Sequence, residues 1–358
     1  MIDPAAMARL LAGYCLEVQS GQQIVVRSST LAAPLMLELQ REILERDAWP
    51  LLRVELPGQT AGFFRHARDR HLDTYAGLAY EEAKKADASL AIQAPENTRA
   101  LVGIDPERLR RSALGRQPVR QVGLKKRWCL TVWPTEALAQ EAGLPLAAFE
   151  DVVRRALFLD QEDPVASWGG LHRFQDDLIQ RLKGAREIRI ETDRTDLTLS
   201  VKGRTWVNSD GKRNMPSGEV FTGPHETSAN GHVFFDIPSS PAGVHVSGVS
   251  LEFRDGVVVG ASAEQGDEHL QRALATDDGA RRLGELGIGT NFGIQRPVGT
   301  ILFDEKIGGT VHLALGRSYP ETGGKNESAL HWDLICDLRP GGRLTADGVT
   351  IVEDGEFR

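Results

Sequence analysis

Between Gly284 and Asp337 the chain gathers Glu285, Asp304, Glu305, His312, Tyr319, His331, Asp333 and Asp337. An earlier carboxylate, Glu219, stands in the turn-like segment MPSGEVFTGP. Carboxylates, imidazoles and a phenol are groups that hold divalent cations and pass protons. The clearest spacing is His331-Trp332-Asp333. Residues two apart project to the same face of a strand but to nearly opposite sides of a helix. On a strand, Trp332, Leu334 and Cys336 would fill the other face as core. Such a pair can supply one nitrogen and one oxygen donor to a metal or to a pair of metals. A buried histidine hydrogen-bonded to its neighbouring carboxylate would leave the same trace. His312, in GGTVHLALG, faces away from the apolar row Val311, Leu313 and Leu315, and the flanking glycines allow close approach of neighbouring backbone. Glu285 opens the glycine-rich turn GELGIGTN. Glu219 has the same character in PSGEVF. Neither carboxylate should be buried unpaired, although either could be an ordinary loop residue.

The combination is more specific than its parts. Glu219, Glu285, His312, His331 and Asp333 form a mixed nitrogen and oxygen donor set with no thiolate, which suits Zn²⁺, Co²⁺ or Mn²⁺. Three carboxylates and two imidazoles exceed what one catalytic zinc needs. Shared by two ions ~3.5–4 Å apart, with one carboxylate bridging, they make a hydrolytic centre. The carboxylates would also partly neutralise the two cations. No nucleophile motif competes: there is no GxSxG, and no cysteine has a histidine nearby in sequence.

These side chains need elements to hold them. A chain of 358 residues with 41% apolar content can build about two domains with sizeable cores. A net charge of -8 argues against a nucleic-acid partner, which usually meets a basic face. Cys15, Cys129 and Cys336 are far apart and form no CxxC, the usage of a reducing compartment. The N-terminus lacks the pattern of a signal peptide, and no apolar run is long enough to span a membrane. The expected location is the cytoplasm.

The first half alternates strands and helices. Gln23–Arg27 (QIVVR), Leu51–Leu56, Ala88–Gln93 and Trp128–Trp133 read as strands. Leu35, Leu39 and Ile43 line one face of an intervening helix, behind N-cap oxygens of Ser28, Ser29 and Thr30. Further helices are expected over Tyr80–Ala86 and 146–158. This is an α/β domain over 1–183 with a mostly parallel sheet. It carries no nucleotide-binding loop. The basic stretch FFRHARDRH, with His66 and His71, reads as a solvated face. From 184 to 358 the texture changes to period-two alternation with tight turns such as Asp210-Gly211 and Asp255-Gly256, which predicts a mainly antiparallel β (α+β) catalytic domain. One helix is expected over 267–284. His225 and His232 can line the site; His172, His245 and His269 are expected to be structural or solvent-facing.

The segments MPSGEVFTGP, GELGIGTN, DEKIGGTVHLALGRSYP and the H-x-D of SALHWDLICD, in this order, closely resemble the metallo-aminopeptidases that include thermophilic aminopeptidase T and staphylococcal aminopeptidase S. The first half matches more loosely, through GQQIVVR and WPTEALAQEAGL. The resemblance implies a homodimeric exopeptidase stimulated by zinc, cobalt or manganese, with two divalent ions per subunit, acting on peptides with a free N-terminus. The family ligands fall on Glu219, Glu285, His312, Tyr319, His331 and Asp333. A metal-activated water would attack the peptide carbonyl. Glu285 would act as bridging ligand or general base, and Tyr319 would bind metal or donate to the oxyanion. Glu305 would orient a ligand, or Asp304-Glu305-Lys306 would be a surface turn. The chain is shorter than the better-known members, and the Glu321–Ser328 loop between Tyr319 and His331 is compact and polar, which bears on which peptides enter. Two other readings share these residues: a non-catalytic peptide- or metabolite-binding protein, and a dimetal hydrolase of another amide bond.

Overall fold

The computed structural model describes residues 2–358. In chain order its strands are β1 (Gln23–Ser29), β2 (Trp49–Glu55), β3 (Ala88–Gln93), β4 (Arg127–Val132), β5 (Glu187–Thr192), β6 (Thr195–Ser200), β7 (Val207–Ser209), β8 (Asn214–Met215) and β9 (Glu219–Thr222). They continue with β10 (Asn230–Phe235), β11 (Val249–Arg254), β12 (Val257–Ser262), β13 (Leu283–Gly289), β14 (Thr310–Gly316), β15 (His331–Asp337), β16 (Arg343–Ala346), β17 (Val349–Glu353) and β18 (Glu356–Phe357). The chain divides into two compact units, Met1–Val165 with Gly211–Pro216, and Ala166–Asp210 with Ser217–Arg358.

The first unit is built on a parallel sheet of order β2-β1-β3-β4-β8. The run Ile24-Val25-Val26 is buried throughout. A strand covered on both faces needs such a continuous apolar run. Ser29 accepts a hydrogen bond from Leu31 N (3.2 Å) and starts the turn that leads into the helix Ala33–Glu45. That helix buries Leu35, Leu39 and Ile43 completely. Each such side chain contributes about 1.5–3 kcal/mol by leaving water. Phe149 and Val153 do the same for the helix Leu146–Ala156. His66 and His71 are exposed, in short helices Gln59–His66 and Asp69–Asp73.

The second unit has two antiparallel sheets. The larger has the order β12-β11-β10-β6-β5-β16-β17-β18, and the smaller β15-β14-β13-β9-β7. Asp-Gly pairs at 255–256, 347–348 and 354–355 take positive φ at both residues and close the β11–β12, β16–β17 and β17–β18 hairpins. Asp210-Gly211 instead lies between β7 and β8, which belong to different sheets. Ile188, Ile190, Leu197 and Leu199 of the larger sheet join one core with Leu286, Ile288, Val311 and Leu313 of the smaller. The helix Pro164–Leu182 adds Leu178 and Leu182 to it.

The helix expected over 267–284 is shorter. It spans Asp267–Leu274. Asp277 then accepts from Ala280 N (2.9 Å), Ser328 Oγ (2.7 Å) and Ala329 N (2.8 Å), which caps a separate tight turn over Asp278–Arg281. Side-chain capping of this kind competes with helix continuation. The chain then enters β13 directly, so Glu285 is a strand residue rather than the start of a turn. Glu219 likewise opens β9.

Candidate metal centre

Cross-strand register puts the donor side chains on one face of the smaller sheet. Asp333 pairs with Ala314 and Ala314 with Glu285; His312 pairs with Gly287; Gly289 pairs with Glu219; His331 pairs with Gly316. The opposite face carries Leu286, Leu313 and Leu334 in the core. Gly287, Gly289, Ala314 and Gly316 are the small partners in these rows, while Ile335 and Phe221 flank His312 and Gly287 on the outer strands.

A bulge brings Glu285 to this face. Leu283 pairs with Leu315 and Glu285 with the next residue back, Ala314, so Gly284 is the extra residue. Strict alternation from Leu283, which faces the core, would have sent Glu285 into the core as well. A Cβ at Gly284 would meet the carbonyl oxygens of Gly316 and Arg317, each at 2.4 Å, so only glycine fits the bulge. Gly287 has a related role. A Cβ there would lie 2.0 Å from His312 Cε1 and 2.1 Å from Nε2, so the imidazole rests directly on the glycine backbone.

Two donor clusters result. Glu219, Glu285 and His312 offer atoms within 4.8 Å of one another, and so do Glu285, His331 and Asp333. Glu285 belongs to both. Its Oε1 is 3.6 Å from His312 Nε2, and its Oε2 is 3.5 Å from His331 Nε2. Glu219 Oε2 is 3.2 Å from His312 Nε2, and Asp333 Oδ1 is 3.6 Å from His331 Nε2. His331 Nδ1 lies 2.8 Å from the Arg317 carbonyl oxygen, which it can reach only as a donor, so Nε2 is left bare toward the carboxylates. A backbone partner on the far nitrogen fixes the orientation of a metal-binding imidazole.

The residues fit a divalent cation. Glu219 Oε2 and both ring nitrogens of His312 are buried and make no hydrogen bond, although Nε2 lies close to carboxylate oxygens. Buried polar atoms without partners are rare and costly. Around them, the carboxylates of Glu219, Glu305 and Asp333 act on the ammonium of Lys306. Among the protein groups alone, burial would lower His312, but Glu219 and Glu285 outweigh it and hold the imidazolium well above the usual histidine range. Burial raises Glu285, and Asp333 and Glu219 add to that. Burial works to raise Glu219 too, but Lys306 and His312 overcome it and hold its carboxyl at about 2.

Asp304-Glu305-Lys306 is not a surface turn. Asp304 and Lys306 are buried, and the Lys306 side chain is fully enclosed. Lys306 Nζ pairs with Glu305 and lies 3.4 Å from Glu219 Oε1. Glu219 is also fixed from behind. Gln175 Nε2, in the helix Pro164–Leu182, donates to the Glu219 carbonyl oxygen (3.0 Å) and to Thr290 Oγ1 (2.9 Å). Asp304 accepts from Val298 N and Gly299 N, both at 2.8 Å. Its burial still pushes its carboxyl up to about 7.

Tyr319 stands at the edge of the second cluster, with Oη 3.4 Å from His331 Nε2 and its ring edge-on to Phe221 and His331. Burial, then Glu285 and Asp333, raise its phenol well above the ordinary value. The polar loop after Tyr319 is tied down by Asn326, whose Nδ2 donates to the carbonyl oxygens of Gly279 (2.8 Å) and Gly316 (2.6 Å). The other candidates lie elsewhere. Asp337 is engaged by Arg339, His225 Nε2 contacts the Lys202 carbonyl oxygen, and His232 is exposed on β10. Sequence reasoning did not find Gln175, Gly287 or the burial of Lys306. A lysine between a glutamate and a Gly-Gly pair carries no burial signal of its own.

The clustered donors on this fold mark a candidate metalloprotein. The sequence matches the family described as thermophilic metalloprotease (M29) over residues 4–357, and the chain belongs to that family. It is 32% identical to aminopeptidase 2 of Geobacillus stearothermophilus over 98% of this chain and 94% of that protein. It is 29% identical to aminopeptidase T of Thermus aquaticus over the same shares of the two chains. The structure of wild-type AmpT from Thermus thermophilus superposes with a TM-score of 0.87 at 24% identity, covering 99% of this chain and 98% of that one, and has the same fold. Among the described residues no helix is long and apolar enough to cross a membrane.

Proposed function

We propose that this metallopeptidase is a dimetal aminopeptidase that removes residues from the free N-terminus of peptides. The observation that carries the reading is Glu285, which belongs to two donor clusters at once. Glu219 and His312 would hold one ion, His331 and Asp333 the other, and Glu285 both. The donor types suit Zn²⁺, Co²⁺ or Mn²⁺. Bound there, two divalent ions would lower the pKa of a water toward neutrality and polarise the substrate carbonyl.

The remaining work falls to the chain's own side chains. Glu285 presents one oxygen to each cluster and is assigned either as the shared ligand or as the acceptor of the attacking water's proton. Tyr319, the sixth group of the family set, stands over His331 as a neutral phenol. It can join the ligands, or donate its proton in a hydrogen bond to the developing oxyanion. The Arg317 carbonyl oxygen keeps His331 in the tautomer that presents Nε2. Lys306 is enclosed and reaches no substrate, so it acts only on Glu219 and Glu305.

Cys15, Cys129 and Cys336 are buried and form no disulfide among the described residues, which supports a reducing compartment, the cytoplasm. The family resemblance supports a homodimer, to be checked by light scattering.

The test is elemental analysis beside hydrolysis of leucine p-nitroanilide. Two equivalents of metal, with activity lost to chelator and restored by Zn²⁺, Co²⁺ or Mn²⁺, are expected. Metal without hydrolysis of any free-amino peptide would indicate a binding protein. Equal hydrolysis of N-acetylated substrates would indicate a different amide hydrolase.

A further inference from the structure

A pocket of about 260 Å³ opens beside the second donor cluster, lined by His331, Asp333 and Ile335 of β15, by Pro238–Pro241, and by Gly299, Ile301 and Asp304. We infer that this pocket receives the side chain of the substrate's N-terminal residue and selects an aliphatic one. The inference rests on the aminopeptidase reading and adds to it the class of residue removed.

Position supports it first. In an aminopeptidase the residue released carries the scissile carbonyl, so its side chain must lie next to the reacting centre. His331 and Asp333 belong both to that centre and to the pocket wall. β15 is the edge strand of the smaller sheet, and on its side away from β14 Ile237 bridges to Ile335 and leads into the 238–241 wall.

The walls are also held in place without a ligand. Ile237 bridges to Ile335, and Trp332 Nε1 donates to Ser239 Oγ (3.1 Å), which together fix the start of the 238–241 wall against the strand. Asp304 fixes the opposite wall through the amides of Val298 and Gly299. A pocket formed before binding loses little ordering entropy on occupation.

The lining chemistry sets the class. Pro238, Pro241, Ile301 and Ile335 supply apolar surface. The charged groups facing the space are Asp304, His331 and Asp333. Both Asp304 oxygens already accept backbone N–H groups, and the other two residues are assigned to metal. No free counter-ion is left for a lysine or arginine side chain, and an unpaired buried ammonium would be strongly disfavoured. A branched aliphatic side chain fits the surface without such a penalty. Discrimination against a side chain one methylene shorter should be about 10–200-fold.

The experiment uses metal-loaded full-length enzyme and the p-nitroanilides of alanine, leucine, phenylalanine and lysine. In the unaltered chain kcat/KM for leucine should exceed that for lysine by at least about tenfold. Ser240→Phe, which narrows the rim, should reduce the leucine-to-alanine ratio of kcat/KM by about tenfold, mainly through KM. Ile301→Ala should move the ratio toward phenylalanine. Metal content measured in parallel should stay at two equivalents in both variants. A lysine preference in the unaltered chain would overturn the inference. So would a parallel change for all four substrates in both variants with metal retained. If the unaltered enzyme hydrolyses none of these anilides while binding two ions, the aminopeptidase reading itself fails, and the pocket assignment falls with it.

Discussion

At the scale of single residues, the centre depends on charges that are buried together and cannot be removed one at a time. Glu285→Gln keeps size and shape but loses the charge shared by the two clusters. Turnover should fall by about a thousandfold, roughly 4 kcal/mol of transition-state stabilisation, with the circular dichroism spectrum unchanged. Unaltered leucine anilide hydrolysis by this variant would remove Glu285 from its assigned role. Lys306→Met leaves Glu305 and Glu219 without their cation in a closed site. Breaking a buried pair in this way costs about 3–5 kcal/mol, which urea denaturation in the presence of chelator would read.

His312 supplies a linkage with a definite sign. Its pKa in the folded chain is raised by Glu219 and Glu285 above the unfolded value. The imidazolium therefore stabilises the ion-free fold fully below about pH 6.5, the ordinary histidine value, and this contribution disappears as pH rises through the higher folded pKa. A divalent ion needs the neutral imidazole. Metal uptake near pH 7 should release protons, and affinity should rise with pH. Calorimetry in buffers of different ionisation enthalpy would show the release as a buffer-dependent heat, and buffer-independent heats would contradict it.

At the scale of elements, four adjacent strands, β15, β14, β13 and β9, supply one face on which glycine makes room for donors. Gly287→Ala is a small change with a local consequence, because the new methyl would occupy the place of the His312 ring. The ring must move off the Glu219–Glu285 cluster. Overpacking of this kind costs about 1–3 kcal/mol. One of the two metal equivalents should be lost or weakened, while the cluster of Glu285, His331 and Asp333 keeps the other. Metal content of the purified variant decides this, and two full equivalents would show that the ring does not need the space. The bulge at Gly284 acts on the same face. Its geometry, rather than the alternation of residue types, turns Glu285 toward the other donors.

At the scale of the whole molecule, all the candidate ligands lie within the second compact unit, and the first contributes none. Metal should therefore stabilise the second unit selectively. An ion held at about a hundred times its dissociation constant adds ~2.7 kcal/mol to the unit that binds it. Chelator should lower the transition of that unit in differential scanning calorimetry and leave the first unit's transition in place. A single transition that shifts as a whole would mean that the two units unfold together.

What the sequence by itself determined was local. The QIVVR strand follows from a continuous β-branched apolar run, the Leu35, Leu39 and Ile43 face from a period near 3.6 residues, and the change of texture toward antiparallel sheet from a period of two. The donor types were legible for the same reason: H-x-D on a strand is a statement about neighbours in sequence. Tertiary structure decided what depends on distant pairing. Glu219 meets Glu285 only because β9 lies beside β13, and Glu285 faces the site only because a bulge breaks the alternation. The Asp277 cap that ends the expected helix early uses Ser328 and Ala329, far along the chain. Residues 164–182 fall within the α/β domain expected over 1–183, yet their helix packs into the core of the second unit and brings Gln175 to the Glu219 backbone. Asp304-Glu305-Lys306 has the composition of a solvated turn and is buried nonetheless. Composition records what a residue can do, whereas burial and cross-strand register depend on which other segments fold over it.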